Sequence, residues 1–269
     1  MTLTPRVRLE SEGVEAVLDP GAGGRIAELR VDGLDLIVPH GWGTLAWGAY
    51  PMIPWAGRLR NGAFDWRGET VRVEQTEPPH AIHGTALYRA WRLVAATAES
   101  ATMALDLRPD WPFGGRAVHR VDLDPAGLTS TIEVHAGRPM PAIIGWHPWF
   151  PRRLARGGEL ELDFDPSGML LRGPDGIPTR EVVSPAAGPW DDAFVGVREP
   201  PVVRWPGAVE ISIHAAGATC WVVYTEQPGA IAVEPQTGPP NGLATGDDAV
   251  VEPGAPLVGS MRLAWRRLA

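Results

Sequence analysis

The 269-residue chain contains no lysine; all 24 of its Lys/Arg positions are arginine. Without an amine side chain no Schiff base can form, which excludes lysine-dependent aldolase and pyridoxal-phosphate chemistry. The phosphate loop that ends in Gly-Lys-Ser/Thr is excluded as well. Cysteine is nearly absent: the single Cys220 allows neither an intramolecular disulfide nor a cysteine zinc cluster, and it fits a reducing cytoplasm. No apolar run reaches the roughly 18 residues of a membrane-spanning helix. Residues 1–15 carry no secretory apolar core. The formal net charge is −8 with no basic run, which argues against nucleic acid or an anionic membrane as a partner. Helix-compatible stretches are also scarce, because 32 glycines and 28 prolines punctuate the chain.

What is present is period-two alternation. Residues 7–10 and 14–18 flank a turn at 11–13, residues 26–31 and 34–38 flank Asp32-Gly33, and residues 63–66 and 70–73 flank Arg67-Gly68. An X-Gly pair between alternating runs signals a two-residue hairpin. Residues 91–95 pair in this reading with 102–107, 117–123 with 128–134, and 208–214 with 220–225 around Gly217. Residues 159–164, 230–234 and 256–265 read as further strands. Turn signals every ~8–12 residues predict an all-β antiparallel sandwich or barrel. Nothing divides the chain, so one domain over residues 1–269 is expected.

Five segments break the alternation: residues 50–61, 78–88, 144–153, 188–196 and 234–243. They are expected to be loops that carry a binding site on a rigid β scaffold. His119 and His135 fall on the polar side of predicted strands and His214 at a strand end, which assigns them to the surface or to structure. His83 precedes Gly84, and a glycine lets backbone approach a ligand closely. His147 stands between Trp146 and, past Pro148, Trp149; aromatic bulk desolvates an imidazole and favours its neutral form. Glu234 sits at the predicted exit of an apolar strand, ahead of Pro235-Gln236-Thr237-Gly238, a setting that can hold a general base. Arg58 and Arg60 can fork onto hydroxyls or carboxylates, and Asp191 and Asp192 offer acceptors beside Trp190. Each has a plain structural alternative: a core histidine, a turn-capping carboxylate, a surface pair. The 12 tryptophans are expected mainly in the core, although an indole face also suits a sugar.

In order and spacing these segments resemble the aldose 1-epimerase, or galactose mutarotase, family. The likeness runs from Gly21-Ala22-Gly23-Gly24-Arg25-Ile26 through Gly57-Arg58-Leu59, Phe64, His83-Gly84 and Trp91. It continues through His147-Pro148-Trp149-Phe150 and Asp191-Asp192-Ala193-Phe194 to Glu234, with Thr237, Pro239 and Asn241 downstream. The resemblance implies a large antiparallel β-sandwich of the galactose mutarotase-like supersandwich type, with an open sugar-binding cleft. It implies an isomerase that interconverts the α and β anomers of a free aldose. By position, Glu234 is implied as the base on the anomeric hydroxyl and His147 as the acid at the ring oxygen. His83 would hydrogen-bond at the same end of the ring, and Arg58, Asp191 and Trp149 would bind sugar. Galactose-type members commonly carry Asn-Arg-Ile, a second Gly after His-Gly, and Tyr in the His-Pro motif. Here Gly57-Arg58-Leu59, Thr85 and Trp149 stand instead, the marks of a compact, divergent branch.

Anomerisation moves one proton off O1 and one onto O5, so the implied reaction needs no cofactor and no metal. Three alternatives stay open at this stage. A hexose-6-phosphate 1-epimerase would need several convergent arginines, and Arg60, Arg89, Arg152 and Arg153 all lie near the motif segments. A non-catalytic carbohydrate-binding protein would keep the cleft without turnover. His83, His147 and Glu234 would also suit a facial metal triad. The expected partner is a small sugar alone, met by a cytoplasmic monomer or homodimer.

Overall fold

The computed structural model describes residues 5–40 and 43–268. Residues 1–4, the start of the segment 1–15 in which no secretory core is expected, and residues 41–42 and 269 lie outside the described residues. An 11-stranded and an 8-stranded antiparallel sheet make up most of the fold, with three two-stranded ribbons beside them. The α-helix Gly242–Thr245 is a single turn. Hairpins form where X-Gly pairs predict them. Glu12-Gly13, Asp32-Gly33 and Arg67-Gly68 all have positive φ at both residues, the backbone that matches strand twist. The strand after Asp32-Gly33 is shorter than expected, only Leu34–Asp35.

The larger sheet runs Val7–Ser11, Val14–Asp19, Arg25–Val31, Ala49–Met52, Gly145–Pro151, Ala230–Gln236, Cys220–Tyr224, Asp191–Val197, Pro166–Arg172, Pro178–Val183. Val209–Ala216 and Cys220–Tyr224 do not form the predicted hairpin. The first pairs with Leu257–Arg267 in the smaller sheet and the second with Ala230–Gln236 in the larger one, so the chain changes sheets at Gly217. The reason lies in their patterning. Val209–Ala216 alternates buried and partly exposed positions, which suits a sheet with one solvated face, whereas Cys220–Tyr224 is buried almost throughout and needs cover on both faces.

Four of the five segments expected as loops contribute strand residues to the larger sheet, Tyr50 to Met52 among them in Ala49–Met52. Gly145–Pro151 and Asp191–Val197 are both in the larger sheet, and Ala230–Gln236 continues through Pro235, so Glu234 lies inside its strand rather than at the exit. Proline disguised them. Between Gly145–Pro151 and Ala230–Gln236 the ladder pairs Gly145 with Gln236 and Trp149 with Ala232, and is open in between. Pro148 and Pro235 stand in that opening, and neither has an N–H to close it. Each is held from its outer side, Pro148 opposite Ala49 and Pro235 opposite Trp221. The strands stay in the sheet while their shared ladder parts at His147 and Glu234.

The two large sheets pack face to face over one continuous core. Trp146 points into it and donates from Nε1 to Ser130 Oγ (2.8 Å) on the smaller sheet. The same oxygen lies 2.7 Å from His119 Nε2, and His119 Nδ1 lies 3.0 Å from the Gly24 carbonyl. A carbonyl only accepts, so Nδ1 carries the proton, Nε2 accepts from Ser130, and the relay is fully satisfied. His119 is therefore not on the polar side of its strand; it shares the inner side with Ala117, Val121 and Leu123. It supplies the donor that the buried Gly24 carbonyl requires.

Burial lowers the His119 pKa from the ordinary 6.5 to about 4. As pH falls from 6.5, the unfolded chain takes up this proton before the folded one does. Stability is therefore full above about pH 6.5 and declines as pH drops toward 4. Thermal unfolding followed against pH should show this decline. His119→Gln should lower the midpoint at neutral pH and flatten the acid slope. An unchanged slope in the variant would refute the assignment.

Candidate active site

The site is built by register. Gly145 opposite Gln236 and Trp149 opposite Ala232 place His147 opposite Glu234. Tyr50 is opposite His147 on its other side, Val222 opposite Glu234, and Ala193 opposite Val222. Tyr50, His147, Glu234, Val222 and Ala193 thus form one row across five strands. Residues two apart share a face, so Trp149, Ala232, Tyr224 and Asp191 form the next row. All of these residues but Tyr50 and Ala232 line a cleft of about 260 Å³, which is also lined by Arg58, His83, Asp192 and Gln227. It is smaller than the roughly 300–1,000 Å³ of pockets for drug-sized ligands.

His147 Nε2 lies 3.1 Å from Glu234 Oε1, with both side chains almost fully buried. Burial, reinforced by Asp191, holds the Glu234 carboxyl well above its usual range. Burial, reinforced by His83, holds the His147 imidazole well below its own. The low dielectric disfavours charge on each, so the pair holds one proton between two sites. Gln236 Nε2 donates to the second Glu234 oxygen at 3.4 Å, from two residues further along the same face.

His83 is fixed by reciprocal bonds with Gly57: its N–H donates to the Gly57 carbonyl (3.0 Å), and its Nδ1 accepts the Gly57 N–H (3.3 Å). Burial lowers its pKa to about 3, so it is neutral with the proton on Nε2, a hydrogen-bond donor rather than an acid. Its ring meets that of His147 edge-on at 5.0 Å. The same backbone pairing carries Arg58, because Arg58–Leu59 pairs with Ala81–Ile82. Arg58 Nη1 reaches Asp191 at 3.4 Å, and Arg172 lies 3.8 Å from Asp191 and 3.4 Å from Asp192.

Sequence reasoning missed the groups that orient His147. Its Nδ1 has no hydrogen-bond partner among the described residues, and the ring plane is set by stacking instead. Tyr50 lies 4.7 Å away at 23° and Trp149 5.1 Å away at 29°. Both are tied to one acceptor: the Leu45 carbonyl takes the Tyr50 hydroxyl (3.0 Å) and the Trp149 indole N–H (2.7 Å). The buried Arg25 holds that segment, donating to the carbonyls of Thr44 and Trp47 at 3.2 and 3.1 Å. Period-two reading of residues 49–52 and 230–236 as strands would have found Tyr50 and Gln236; no local signal marks Arg25.

The structure thus brings Glu234, His147, His83, Arg58, Asp191 and Trp149 to one cleft. The indole N–H of Trp149 is spent on Leu45, which leaves its ring rather than its donor for a ligand. Arg60, Arg89, Arg152 and Arg153 do not enter. Arg60 pairs with Asp175, Arg89 with Asp110 (2.7 Å) and Arg153 with Glu159 (2.5 Å), and Arg152 donates to the carbonyls of Thr225 and Gln227. No three His, Cys, Asp or Glu side chains among the described residues are grouped as metal ligands. Nine tryptophans are buried, and Trp149 alone of them lines this cleft.

The fold is that of the galactose mutarotase-like proteins. An Escherichia coli K12 protein (b2544) superposes with a TM-score of 0.87 at 20% identity, covering 98% of this chain and 99% of that one. A galactose mutarotase-like protein from Clostridium acetobutylicum gives 0.86 at 14% identity over 98% and 95%. Galactose 1-epimerase from Lactobacillus acidophilus gives 0.81 at 16% identity over 98% and 95%. The family model for aldose 1-epimerase matches residues 5–264, and the chain belongs to that family. Among curated relatives, Escherichia coli YihR is 31% identical over 101 residues, 36% of this chain and 32% of YihR. The match thus spans about a third of that relative's length.

Gly84, at φ +75°, lets His83 reach the cleft: a Cβ there would run into the Ile53 carbonyl, which already accepts the N–H groups of Thr85 and Ala86. Gly84→Ala should cost about 2–4 kcal/mol. Gly33→Ala, at φ +77° with nothing within 4 Å of the added carbon, should cost about 1 kcal/mol. Denaturant midpoints compare the two, and equal losses would rule out the clash.

Proposed function

We propose that the protein is an aldose 1-epimerase acting on a neutral free aldose, with Glu234 and His147 as its proton-transfer pair. The observation that carries this reading is their buried 3.1 Å contact on the floor of a sugar-sized cleft. In the ion-paired form, Glu234 takes the proton from O1 while His147 gives one to O5, and the ring opens to the aldehyde. Rotation about C1–C2 presents the other carbonyl face, and closure returns both protons. Ring opening therefore converts the charged pair into the neutral pair. Burial favours the neutral form, so it stabilises the enzyme state that accompanies the open chain. The His83 Nε2–H is placed to donate to a sugar oxygen at the same end, while Arg58, Asp191 and Trp149 hold the remainder of the ring.

The cleft charge supports a neutral sugar over a sugar phosphate. Arg58 is the one arginine among the described residues that lines it, and it is paired with Asp191 at 3.4 Å. A phosphate dianion would meet aspartates and no uncommitted cation there. The proposed setting is a reducing cytoplasm, on the strength of the lone thiol, with the protein acting as a monomer or homodimer. No helix of the described residues is long and apolar enough to cross a membrane.

Exchange NMR on freshly dissolved aldoses tests the reaction. Glu234→Gln should lower kcat by about 10²–10⁴-fold and leave sugar affinity within a few-fold. A wild-type protein that binds sugar without accelerating anomer exchange would reduce the reading to a binding protein. In thermal shift assays, glucose 6-phosphate should protect no better than glucose. Selective protection by the phosphate would overturn the neutral-sugar assignment.

A further inference from the structure

Arg25 belongs to the same row of the larger sheet as the His147–Glu234 pair. Ile26 stands opposite Ala49, which sets Arg25 beside Tyr50, and Tyr50 stands opposite His147. Arg25, Tyr50, His147 and Glu234 therefore follow one another across four neighbouring strands. The guanidinium carbon lies 5.1 Å from the centre of the Tyr50 ring, and the His147 imidazole stacks on that ring at 4.7 Å. The fixed charge and the imidazole thus share one aromatic contact.

Arg25 is only 1% exposed, and no carboxylate among the described residues neutralises it. It donates to the carbonyls of Ala22 (2.6 Å), Thr44 and Trp47, and its face lies 4.0 Å over the Trp47 ring. Asp19, its neighbour on the outer strand, accepts from Arg6 and from the Ala22 N–H instead. Burial lowers the Arg25 pKa only to about 10, so it is a cation at neutral pH. Bracing three carbonyls needs donors but no charge, and a buried charge without a counter-ion is costly. Its position in the row gives that charge a use, because a cation here opposes a proton on His147. The other groups facing the pair are Tyr50, His83 and Cys220, with Arg58 and Asp191 paired across the cleft. Burial holds the Tyr50 hydroxyl high, the Cys220 thiol up at about 12 and His83 down at about 3, so none of these three changes charge near neutrality. On the far side of Arg25, His40 meets the Trp47 ring edge-on at 4.6 Å.

We propose that Arg25 is a positioning residue for proton transfer: its fixed charge, acting across Tyr50, disfavours the imidazolium at His147 and so makes that group a stronger acid toward the ring oxygen. This rests on the proposed epimerase reading for turnover, but not for the titration of the pair. The guanidinium lies within about 10 Å of the imidazole, where one charge at an effective dielectric of about 20 moves a titration by about one unit. Loss of the charge makes the pair easier to protonate. Both limbs of a bell-shaped rate profile then move to higher pH.

The pH profile of anomer exchange tests this in the wild type, in Arg25→Gln and in Tyr50→Phe. Arg25→Gln removes the charge, keeps an amide donor for the carbonyls and strands no buried carboxylate. Its profile should move up by about 0.5–1 unit. Tyr50→Phe cuts the tie to Leu45 but leaves the charge, so it should lower kcat without moving the profile. An Arg25→Gln profile that drops in height but keeps its place, or an equal shift in Tyr50→Phe, would reduce Arg25 to a brace and overturn the proposal. Imidazole ¹⁵N NMR of His147 reads the same titration without turnover. If no sugar is turned over, the epimerase reading fails, and a His147 titration raised in Arg25→Gln still supports the proposal, while an unmoved one overturns it. Arg25→Lys decides where the glutamine variant does not fold. The chain has no other lysine, so its one amine signal reports the charge at this position directly. Burial brings that amine below its ordinary value of about 10.4. As pH rises and the amine loses its charge, the His147 signals should move toward imidazolium with the same midpoint. His147 signals blind to that midpoint overturn the coupling.

Discussion

The molecule depends on one antiparallel register, that between Gly145–Pro151 and Ala230–Gln236. A slip of one residue would turn Trp146 out of the core and His147 into it. Trp146 is tied to Ser130 on the opposite sheet, so the register is enforced from the core side by a buried hydrogen bond, and the cleft side follows. The chemistry is thus placed by packing that has no contact with any ligand. The two prolines add a second constraint. By leaving the ladder open at His147 and Glu234, they remove backbone bonds from the one place where side-chain polarity is needed.

Burial governs the site's electrostatics. Glu234 and His147 are each pushed toward neutrality, and neither has a strong permanent counter-charge to oppose the shift. A strong ion pair would freeze the charged state, whereas two disfavoured charges 3.1 Å apart favour the neutral pair, with the ion-paired form one proton shift away. The stacking of His147 on Tyr50 and Trp149 fits that arrangement, since it orients the ring without competing for a nitrogen.

Local chemistry made much of the fold legible. Positive-φ turns at Asp32-Gly33 and Arg67-Gly68 are written in the residues that tolerate them, and alternation marked most strands. What stayed hidden was long-range. Which sheet Cys220–Tyr224 joins depends on neighbours far away in the chain. His119 looked polar by its type, yet the carbonyl that buries it belongs to Gly24, on another strand's approach. The prolines of Gly145–Pro151 and Ala230–Gln236 read as breaks because their outer partners cannot be seen locally. At the site, Glu234, His147 and His83 were reached through the order of motifs. Tyr50 and Gln236 become visible only once the strands are aligned.

The Pro166–Arg172 and Pro178–Val183 hairpin closes the end of the larger sheet beyond Asp191–Val197. Exposed ion pairs, Arg60 with Asp175 and Arg180 with Asp247, fasten it to the facing wall. Its outer strand pairs with nothing else, and its tip supplies Gly176 and Pro178 to the cleft. Sheet centre and sheet edge therefore carry separate duties. The His147–Glu234 pair is locked in the middle, where any change disturbs the core, while the wall supplied by the hairpin hangs on surface contacts. Insertions or exchanges in that hairpin can reshape the cleft while leaving the geometry of the pair intact, which makes the edge of the sheet the least constrained part of the site.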